Sequence, residues 1–470
     1  MSRRRERSTG FAAVLAVALL TGCASTNPQP VVDRVDADVA RRTGRRIFWN
    51  QDGDADEAVR RAVKEMLADG VTEDEAVQIA LINNRSLQAT YEELGVAQAE
   101  VVQAGLLKNP VFRGSYRIGD ADSPLPDWTF GVEQDFLSIF MLPARKRIAN
   151  AQREVAEARV TSAVLRTTRD VRAAYLTVAA AEQTLATQRA IGEAAEVTAE
   201  LAKRQVAAGT ASELDAANEV VQYEQLRLDL GRSEVVLAAK REEVTRLLGL
   251  WGADIAWRGP VRLPEIPASD PPLEHLEMLA VDHRADMAAA RAEAEVARRV
   301  LGTARTFRFF GGASVGLTVD RHRSGATGPK EWSLEPGASL EVPLFDQRQA
   351  VIARLEAEAR QAEHRLSATA VDARSDVRVA RARLLAERAT VNHYRTVLVP
   401  MRERLVALAQ QQYDSMLIGI YQLLQAKTNE LAAYRGYVES VRDYWIARAD
   451  LELAIGGRLP REKSPMKGTP

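Results

Sequence analysis

Two long stretches of this chain contain neither glycine nor proline. They span residues 144–191 and 349–399, and both are rich in Ala, Arg, Glu and Leu, which are good helix formers. A helix of about 50 residues is about 75 Å long, longer than is normal in a globular domain. Such a helix cannot bury its own apolar stripe, so the fold must supply neighbouring helices, in a coiled coil or in a repeat.

The chain also repeats itself at an interval of roughly 200 residues. Residues 205–209 align with 412–416, residues 84–87 resemble 284–287, and Gly249 aligns with Gly456, each of these glycines ending a helical run. Gly192 falls beside the equivalent of Pro400, which predicts a break at about the same place in both long helices. We predict two repeats, residues 71–252 and 253–457, each with the order helix, two strands, long helix, turn, long helix.

The first helix of the first repeat has a clear start. Thr72 and Glu75 have the spacing of a capping box, in which each residue satisfies a free N–H group of the other. We expect this helix to continue past Ala80 and Val96 and to stop at Asn109-Pro110, because proline disfavours helix in the residue before it.

Four short segments alternate between apolar and polar residues. Their apolar members are Phe112, Tyr116 and Ile118; Trp128, Phe130 and Val132; Phe309, Ala313, Val315 and Leu317; and Trp332, Leu334, Ala338, Leu340 and Val342. This pattern is typical of membrane-barrel strands, but a half-buried sheet of a soluble protein has it too. Trp128 and Trp332 suit an interfacial aromatic girdle. Residues 119–127 and 320–330 read as exposed loops, on the cell exterior if the strands cross a membrane.

Four strands cannot close a membrane barrel, since the smallest barrels use about eight strands and open edges are not tolerated in lipid. If the strands cross a membrane, the chain must share its barrel with copies of itself. Three copies would give twelve strands, with a matching tube of long helices. The predicted fold class is therefore mainly α with a membrane β-barrel portion.

The N-terminus resembles the lipobox of bacterial lipoproteins. A basic run and a short apolar run precede Leu20-Thr21-Gly22-Cys23, and Cys23 is the only cysteine in the chain. We predict a signal peptide at residues 1–22, a lipid on Cys23 and a lipid-anchored tether at residues 23–70; an ordinary signal peptide is the alternative. Ala24, which is not an Asp, favours the outer membrane. Residues 458–470 are predicted to be disordered.

Composition argues against several other functions. The formal net charge of −1 over 470 residues gives the chain no excess of positive charge that would attract nucleic acid. A single cysteine excludes an internal disulfide, and the five histidines are scattered without metal-ligand spacing. No phosphate loop or H-E-x-x-H motif is present. Residues 312–316 (Gly-Ala-Ser-Val-Gly) have the letters of a G-x-S-x-G motif, but they lie inside the third alternating segment rather than at a strand-to-helix turn, where a catalytic serine of this type would be expected. We therefore predict no enzyme and no cofactor other than the lipid on Cys23.

Several segments together resemble the TolC-type outer-membrane factors, the exit ducts of tripartite efflux pumps and type I secretion systems. The resemblance lies in residues 71–84, in residues 105–110 (Gly-Leu-Leu-Lys-Asn-Pro) and in residues 342–346 (Val-Pro-Leu-Phe-Asp). It implies a trimeric twelve-stranded β-barrel on a twelve-helix α-barrel, in the outer membrane of a Gram-negative bacterium and extending into the periplasm. It also implies a periplasmic adaptor and, through it, an inner-membrane pump as partners, and no catalysis.

The resemblance also identifies residues at the periplasmic tips of the helical hairpins. Asp215 matches a family aspartate that locks the closed mouth through an arginine, but Ile418 stands at the arginine's place. Gln422 and Gln425 stand where the family has a ring of aspartates. We expect a different gate, an apolar constriction formed by Met416, Leu417, Ile418 and Tyr421. The alternative, favoured for Met416 and Leu417, is that these residues pack the hairpin or contact the adaptor.

Three other functions compete with a passive efflux duct. A lipid-anchored coiled-coil spacer would leave the four strands unexplained, and a periplasmic adaptor would have one hairpin rather than two. A type I protein-secretion duct would share the whole architecture. Residues 139–143 and 416–424 resemble metal-efflux relatives, which makes heavy-metal ions a possible cargo.

Overall fold

The computed structural model describes residues 26–51, 53–117, 127–259, 262–323 and 329–459. Cys23, the loop at residues 119–126 and the tail from residue 460 lie outside the described residues. The elements in chain order are α1 (Gln29–Thr43), α2 (Asp54–Ala68), α3 (Glu73–Asn83), α4 (Arg85–Ala104), β1 (Val111–Arg117), β2 (Asp127–Asp135), α5 (Leu137–Ala207), α6 (Glu213–Leu248), α7 (Leu276–His283), α8 (Ala285–Thr306), β3 (Ala313–Arg323), β4 (Lys330–Leu340), α9 (Gln349–His393), α10 (Val399–Asp414) and α11 (Ile420–Ala454). A 3-10 turn lies at Gly252–Ile255 and a π-helical turn at Tyr394–Leu398.

The mainly helical fold and the twofold order of elements are confirmed. The run α3, α4, β1, β2, α5, α6 recurs as α7, α8, β3, β4, α9, α10, α11. The capping box is also confirmed, because the Thr72 side chain accepts a hydrogen bond from the Glu75 N–H and the Glu75 carboxylate accepts one from the Thr72 N–H.

The single opening helix predicted up to Asn109 is wrong. It is divided at Asn84, whose backbone is extended (φ −65°, ψ 116°), and its second part ends at Ala104. The Asn84 side-chain oxygen accepts from the Leu87 N–H (2.9 Å), and its side-chain nitrogen donates to the Leu247 carbonyl (2.7 Å). Asn84 thus caps α4 and ties it to the end of α6, which offsets the lost helical bonds. Arg284 divides α7 from α8 at the matching place.

The expected break at Gly192 is also wrong. Helix α5 runs through it without interruption for 71 residues, since one internal glycine costs a helix only about 1 kcal/mol. Pro400 does perturb the second repeat, where the π-helical turn separates α9 from α10. Proline has no N–H for the ladder and clashes with the preceding turn, and a π turn re-registers the hydrogen bonds around it.

Gly249 and Gly456 end their helices as predicted. Their φ angles are 68° and 80°, a left-handed conformation that favours glycine. A Cβ on Gly249 would lie 2.5 Å from the Asn83 carbonyl oxygen, and one on Gly456 would lie 2.8 Å from the Arg284 Cα. Both glycines therefore permit a close backbone approach to the end of the opening helix of their own repeat.

The four strands form one antiparallel sheet in the order β1-β2-β3-β4. Paired residues share a face, and the register makes one face mostly apolar. Its apolar members include Phe112, Tyr116, Trp128, Phe130, Val132, Leu317, Val319, Trp332 and Leu334, and the polar Gln134 and Arg321 lie on the same face. Three strand boundaries were wrong. Phe309 precedes β3, Val342 follows β4, and β3 continues to Arg323, so the loop predicted from residue 320 begins later.

The chain divides into two compact units. One holds the sheet with residues 92–158 and 288–368, and all seven residues of β1 are exposed there. The other holds the hairpin tips and a helical core in which Leu276, Leu384, Tyr444, Leu451 and Ile455 are buried together. None of the helices in the described ranges combines the length and the low charge needed to cross a membrane.

Residues 33–51 fold back onto the opening helices of the first repeat. The Ile47 N–H donates to the Asp36 carboxylate (2.9 Å), and the side chains of Gln78 and Gln88 donate to the carbonyls of Arg46 (2.9 Å) and Phe48 (2.8 Å). Two glutamine side chains, one on α3 and one on α4, therefore fix this segment to the first repeat through its backbone carbonyls.

Candidate functional site: the tips of the two helical hairpins

The first hairpin turns at residues 208–212, between α5 and α6. Gly209 has φ 71°, and its N–H donates to the Val206 carbonyl (2.9 Å) while the Thr210 N–H donates to the Gln205 carbonyl (2.9 Å). This pair of bonds closes the C-terminus of α5 and satisfies carbonyls that have no partner within the helix.

The second hairpin turns in the same way at residues 415–419, between α10 and α11. The Met416 N–H donates to the Tyr413 carbonyl (2.8 Å), and the Leu417 N–H donates to the Gln412 carbonyl (2.9 Å). Met416 has φ 57° and thus holds the left-handed position that Gly209 holds in the first tip. The alignment of residues 205–209 with 412–416 is therefore a real correspondence of backbone structure.

Asp215 is held within its own turn. The Ser212 side chain accepts a hydrogen bond from the Asp215 N–H (3.1 Å), and the Ser212 hydroxyl donates to the Asp215 carboxylate (2.7 Å). This arrangement starts α6, and a carboxylate in the first turn also suits the positive end of the helix dipole. Ile418, at the position of the family's arginine, is half-buried and offers this carboxylate no charge.

Gln422 occupies the position in α11 that Asp215 occupies in α6. It follows Gly419, which starts α11 without a side-chain cap (φ −79°, ψ 163°). Gln422 and Gln425 are both exposed, and the Gln425 side-chain nitrogen lies 3.4 Å from the Asn429 side-chain oxygen one turn later. Tyr421 is the second residue of α11. The predicted tip residues of this hairpin thus present amides rather than carboxylates.

The largest apolar side chains of the tips face solvent in the single chain. Met416 is 93% exposed, Leu417 75% and Leu214, on the first tip, 71%. Met416 and Leu417 therefore do not pack against their own hairpin in the single chain. The left-handed backbone of Met416 costs a non-glycine residue about 1 kcal/mol or more.

Glu219 is a tip residue that sequence reasoning missed. It is only 6% exposed, and burial, together with the negative charge of Asp215, raises the pKa of its carboxyl. It makes no hydrogen bond or ion pair with any described residue. The signal available in the sequence was its spacing, because residues four apart on a helix share a face. The described residues contain no group of three or more His, Cys, Asp or Glu that could hold a metal ion.

Comparison with known proteins assigns this architecture to a family. The model of the family described as outer membrane efflux protein matches residues 76–250 and 278–457. The cobalt-zinc-cadmium resistance protein CzcC of Cupriavidus metallidurans is 22% identical over 397 residues, 82% of this chain and 90% of that protein. A membrane protein of Pseudomonas aeruginosa has a TM-score of 0.67 at 22% identity, covering 82% of this chain and 92% of that chain. The CmeC outer membrane channel of Campylobacter jejuni has a TM-score of 0.70 at 17% identity, covering 83% and 87%. Because the family model spans both repeats, the chain belongs to the outer membrane efflux protein family.

Proposed function

We propose that three copies of this chain form a closed conduit through the outer membrane, anchored by a lipid on Cys23 and carrying heavy-metal ions from an inner-membrane pump and its adaptor. One observation supports the proposed trimer: the four-stranded sheet has two unpaired edges and an exposed apolar face. Strands β1 and β4 each have one neighbour, and the apolar face between them is open. Lipid does not tolerate unpaired strand edges, so β1 of one copy pairs with β4 of the next.

The two faces of the sheet suit a barrel wall. Phe112 is 79% exposed, Leu334 64% and Trp332 63% on the apolar face, where lipid would replace water. Tyr116 and Trp128 lie together at one end of that face, with ring centroids 4.5 Å apart, as aromatic residues do at membrane interfaces. Arg113, Thr129, Thr318 and Glu335 occupy the other face, which would line the aqueous lumen.

The tips support a mouth that closes without a carboxylate ring. Met416, Ile418 and Tyr421 are the apolar and aromatic groups available for a constriction that gates by dewetting. Gln422 and Gln425 carry no charge, and the Asp215 carboxylate accepts a hydrogen bond within its own turn. We therefore expect weak cation selectivity at the mouth.

Heavy-metal cargo rests on two supports, the resemblance of residues 139–143 and 416–424 to metal-efflux relatives and the similarity to a cobalt-zinc-cadmium resistance protein. A type I protein-secretion duct is the second candidate function.

Assembly is tested by the mass of the full-length protein in mild detergent, measured by light scattering with detergent correction. A mass of three chains is expected, and a monomer or a dimer would refute the conduit. The mouth is tested in planar bilayers with Ile418→Arg combined with Gln422→Asp, which should change its conductance or its cation selectivity. Unchanged conductance and unchanged selectivity would mean that these residues do not form the mouth.

Cargo and anchor are tested together by growth of a deletion strain on copper, silver, zinc, cobalt, dyes, detergents and antibiotics. Complementation by the wild type should restore metal resistance alone, and Cys23→Ser should restore less of it. Sensitivity confined to dyes, detergents and drugs would contradict metal cargo, and loss of protein export without either sensitivity would favour a secretion duct.

A further inference from the structure

A cleft rich in arginine lies where α1, α3, α5 and α11 meet. Its wall contains five arginines but only two carboxylates, those of Asp74 and Glu452. The arginines are Arg42, Arg45, Arg169, Arg172 and Arg458, and we call the site the arginine cleft. These residues are far apart in the sequence, so no local motif announces the site.

The guanidinium groups of Arg42, Arg169 and Arg172 are held in position by protein oxygens, and each still has one nitrogen, Nη2, available to donate a hydrogen bond. Each uses Nε and Nη1 on protein oxygens, and in each Nη2 makes no hydrogen bond within the part of the chain that the structure describes. The fixed contacts are Arg42 to Asp38 (2.8 Å) and to the Gly456 carbonyl (2.9 Å), Arg169 to Asp450 (2.5 Å) and to Asp170 (3.0 Å), and Arg172 to Glu73 (2.8 Å) and to Glu452 (2.6 Å). The side chains are only 18%, 31% and 29% exposed, so their forks are fixed before any ligand arrives.

Arg458 completes the cleft by a different device. A Cβ on Gly44 would lie 2.6 Å from its Nη1 and Nη2 atoms, so the guanidinium rests directly on the glycine backbone. The Arg458 N–H donates to the Arg42 carbonyl (3.1 Å). This guanidinium forms no ion pair with any residue in the described ranges, which leaves its charge available.

The groups that line the cleft favour an anion. Five arginines and two carboxylates line it. The four other carboxylates that pair with these arginines, Asp38, Glu73, Asp170 and Asp450, do not line the cleft, so the surface that a ligand would contact is made mainly of cationic donors. Planar guanidinium groups match the geometry of carboxylate and phosphate oxygens.

We propose that the arginine cleft binds one oxyanion group, a phosphate or a carboxylate, through the free nitrogens of Arg42, Arg169, Arg172 and Arg458. The cavity volume is about 40 Å³, room for roughly three waters at 10–15 Å³ each. That space holds a single oxyanion and excludes a sugar or a nucleobase. The bound anion joins the end of α1 to the end of α11, and it does so whether or not the chain forms an efflux conduit.

Calorimetric titration of the full-length protein in detergent tests this proposal. The probes are inorganic phosphate and succinate, each at constant ionic strength maintained with chloride. We expect one site per chain for at least one probe. Tighter binding of phosphate would assign a phosphate-bearing ligand, and tighter binding of succinate a carboxylate-bearing one. No saturable heat with either probe would overturn the proposal.

Variants locate the site. Arg458→Ala should weaken binding about tenfold, because it removes a charged donor whose loss breaks no ion pair. Arg227→Ala is the control, since Arg227 is 67% exposed, pairs with Glu224 and does not line the cleft. Arg169→Lys, which keeps the charge but loses the planar guanidinium, should also weaken binding. Equal effects of Arg458→Ala and Arg227→Ala would show that the anion senses only net charge, and would refute a built site.

Discussion

The matched positions Gly209 and Met416 allow the strain at the second tip to be measured against an internal reference. Both residues have a left-handed backbone, with φ 71° and 57°, and only one of them is glycine. Met416 is 93% exposed, so Met416→Gly removes almost no buried area. The left-handed conformation costs a non-glycine residue about 1–2 kcal/mol, and Met416→Gly removes this cost. Glycine also has more conformational freedom in the open state, which offsets about 0.5–1 kcal/mol of the gain in stability. The tip should become about 0.5–1 kcal/mol more stable.

The reverse change should destabilise the first tip. A Cβ on Gly209 would meet nothing within 4 Å, so Gly209→Ala carries the backbone cost of about 1–2 kcal/mol, and the lower freedom of alanine in the open state offsets about 0.5–1 kcal/mol of it. The effect is local, and native-state hydrogen exchange measures it directly. The amides of residues 416 and 417 should exchange about two- to fivefold more slowly in Met416→Gly, and those of 209 and 210 about two- to fivefold faster in Gly209→Ala. In each variant the unchanged hairpin is the control. Shifts of the same sign in the two variants would refute the assignment of strain to Met416.

Three further predictions concern stability. Glu219→Gln should stabilise the protein at neutral pH by up to about 1 kcal/mol, because it removes the charge of a largely buried carboxyl that has no ion-pair partner. Burial and the charge of Asp215 raise the folded pKa above 4.5, so the gain over wild type should vanish below pH 4.5. Glu242→Gln, at an exposed position of α6 away from its first turn, should have little effect at any pH. Burial would raise the pKa of Asp270, but hydrogen bonds from Arg388 (2.7 Å) and Tyr444 (2.6 Å) outweigh it and lower the pKa below 3.8. Asp270→Asn should therefore cost about 3 kcal/mol of unfolding free energy at neutral pH. In thermal unfolding, the difference in stability between wild type and variant should shrink as the pH falls through the folded pKa. Gly249→Ala should cost more than Gly252→Ala, because both have positive φ but only a Cβ at Gly249 meets backbone, 2.5 Å away; equal unfolding temperatures would exclude that contact.

Local signals predicted the parts of this fold that depend on a few adjacent residues. Thr72 with Glu75, and the glycines at 249 and 456, have short-range chemistry that the structure confirms. The division of the opening helix at Asn84 was not predictable in that way, because its compensation comes from the Leu247 carbonyl, 163 residues away. The unbroken path of α5 through Gly192 depends likewise on the balance of a 71-residue helix rather than on one residue.

The hairpin tips and the arginine cleft were also only partly predictable from local sequence. Alignment of the repeats placed Met416 opposite Gly209, but only the backbone angles reveal that a methionine holds a glycine's conformation. The burial of Glu219 depends on how α6 packs, and the arginine cleft gathers residues from the two ends and the middle of the chain. Such sites are defined by tertiary contacts between distant residues, which periodicity and motif spacing do not record.

The two hairpins share one order of elements, but only the second has irregularities in its backbone. The first hairpin consists of the continuous helix α5, a turn at Gly209 and helix α6, and the positive φ in its turn belongs to a glycine. The second contains the π turn at Tyr394–Leu398, the proline at 400 and a tip residue with positive φ. Gly436 faces that π turn closely, since a Cβ there would lie 2.5 Å from the Tyr394 hydroxyl oxygen. Because the repeats otherwise correspond, these irregularities are departures from a shared plan, and they concentrate in the hairpin that also contains the uncharged residues of the proposed mouth.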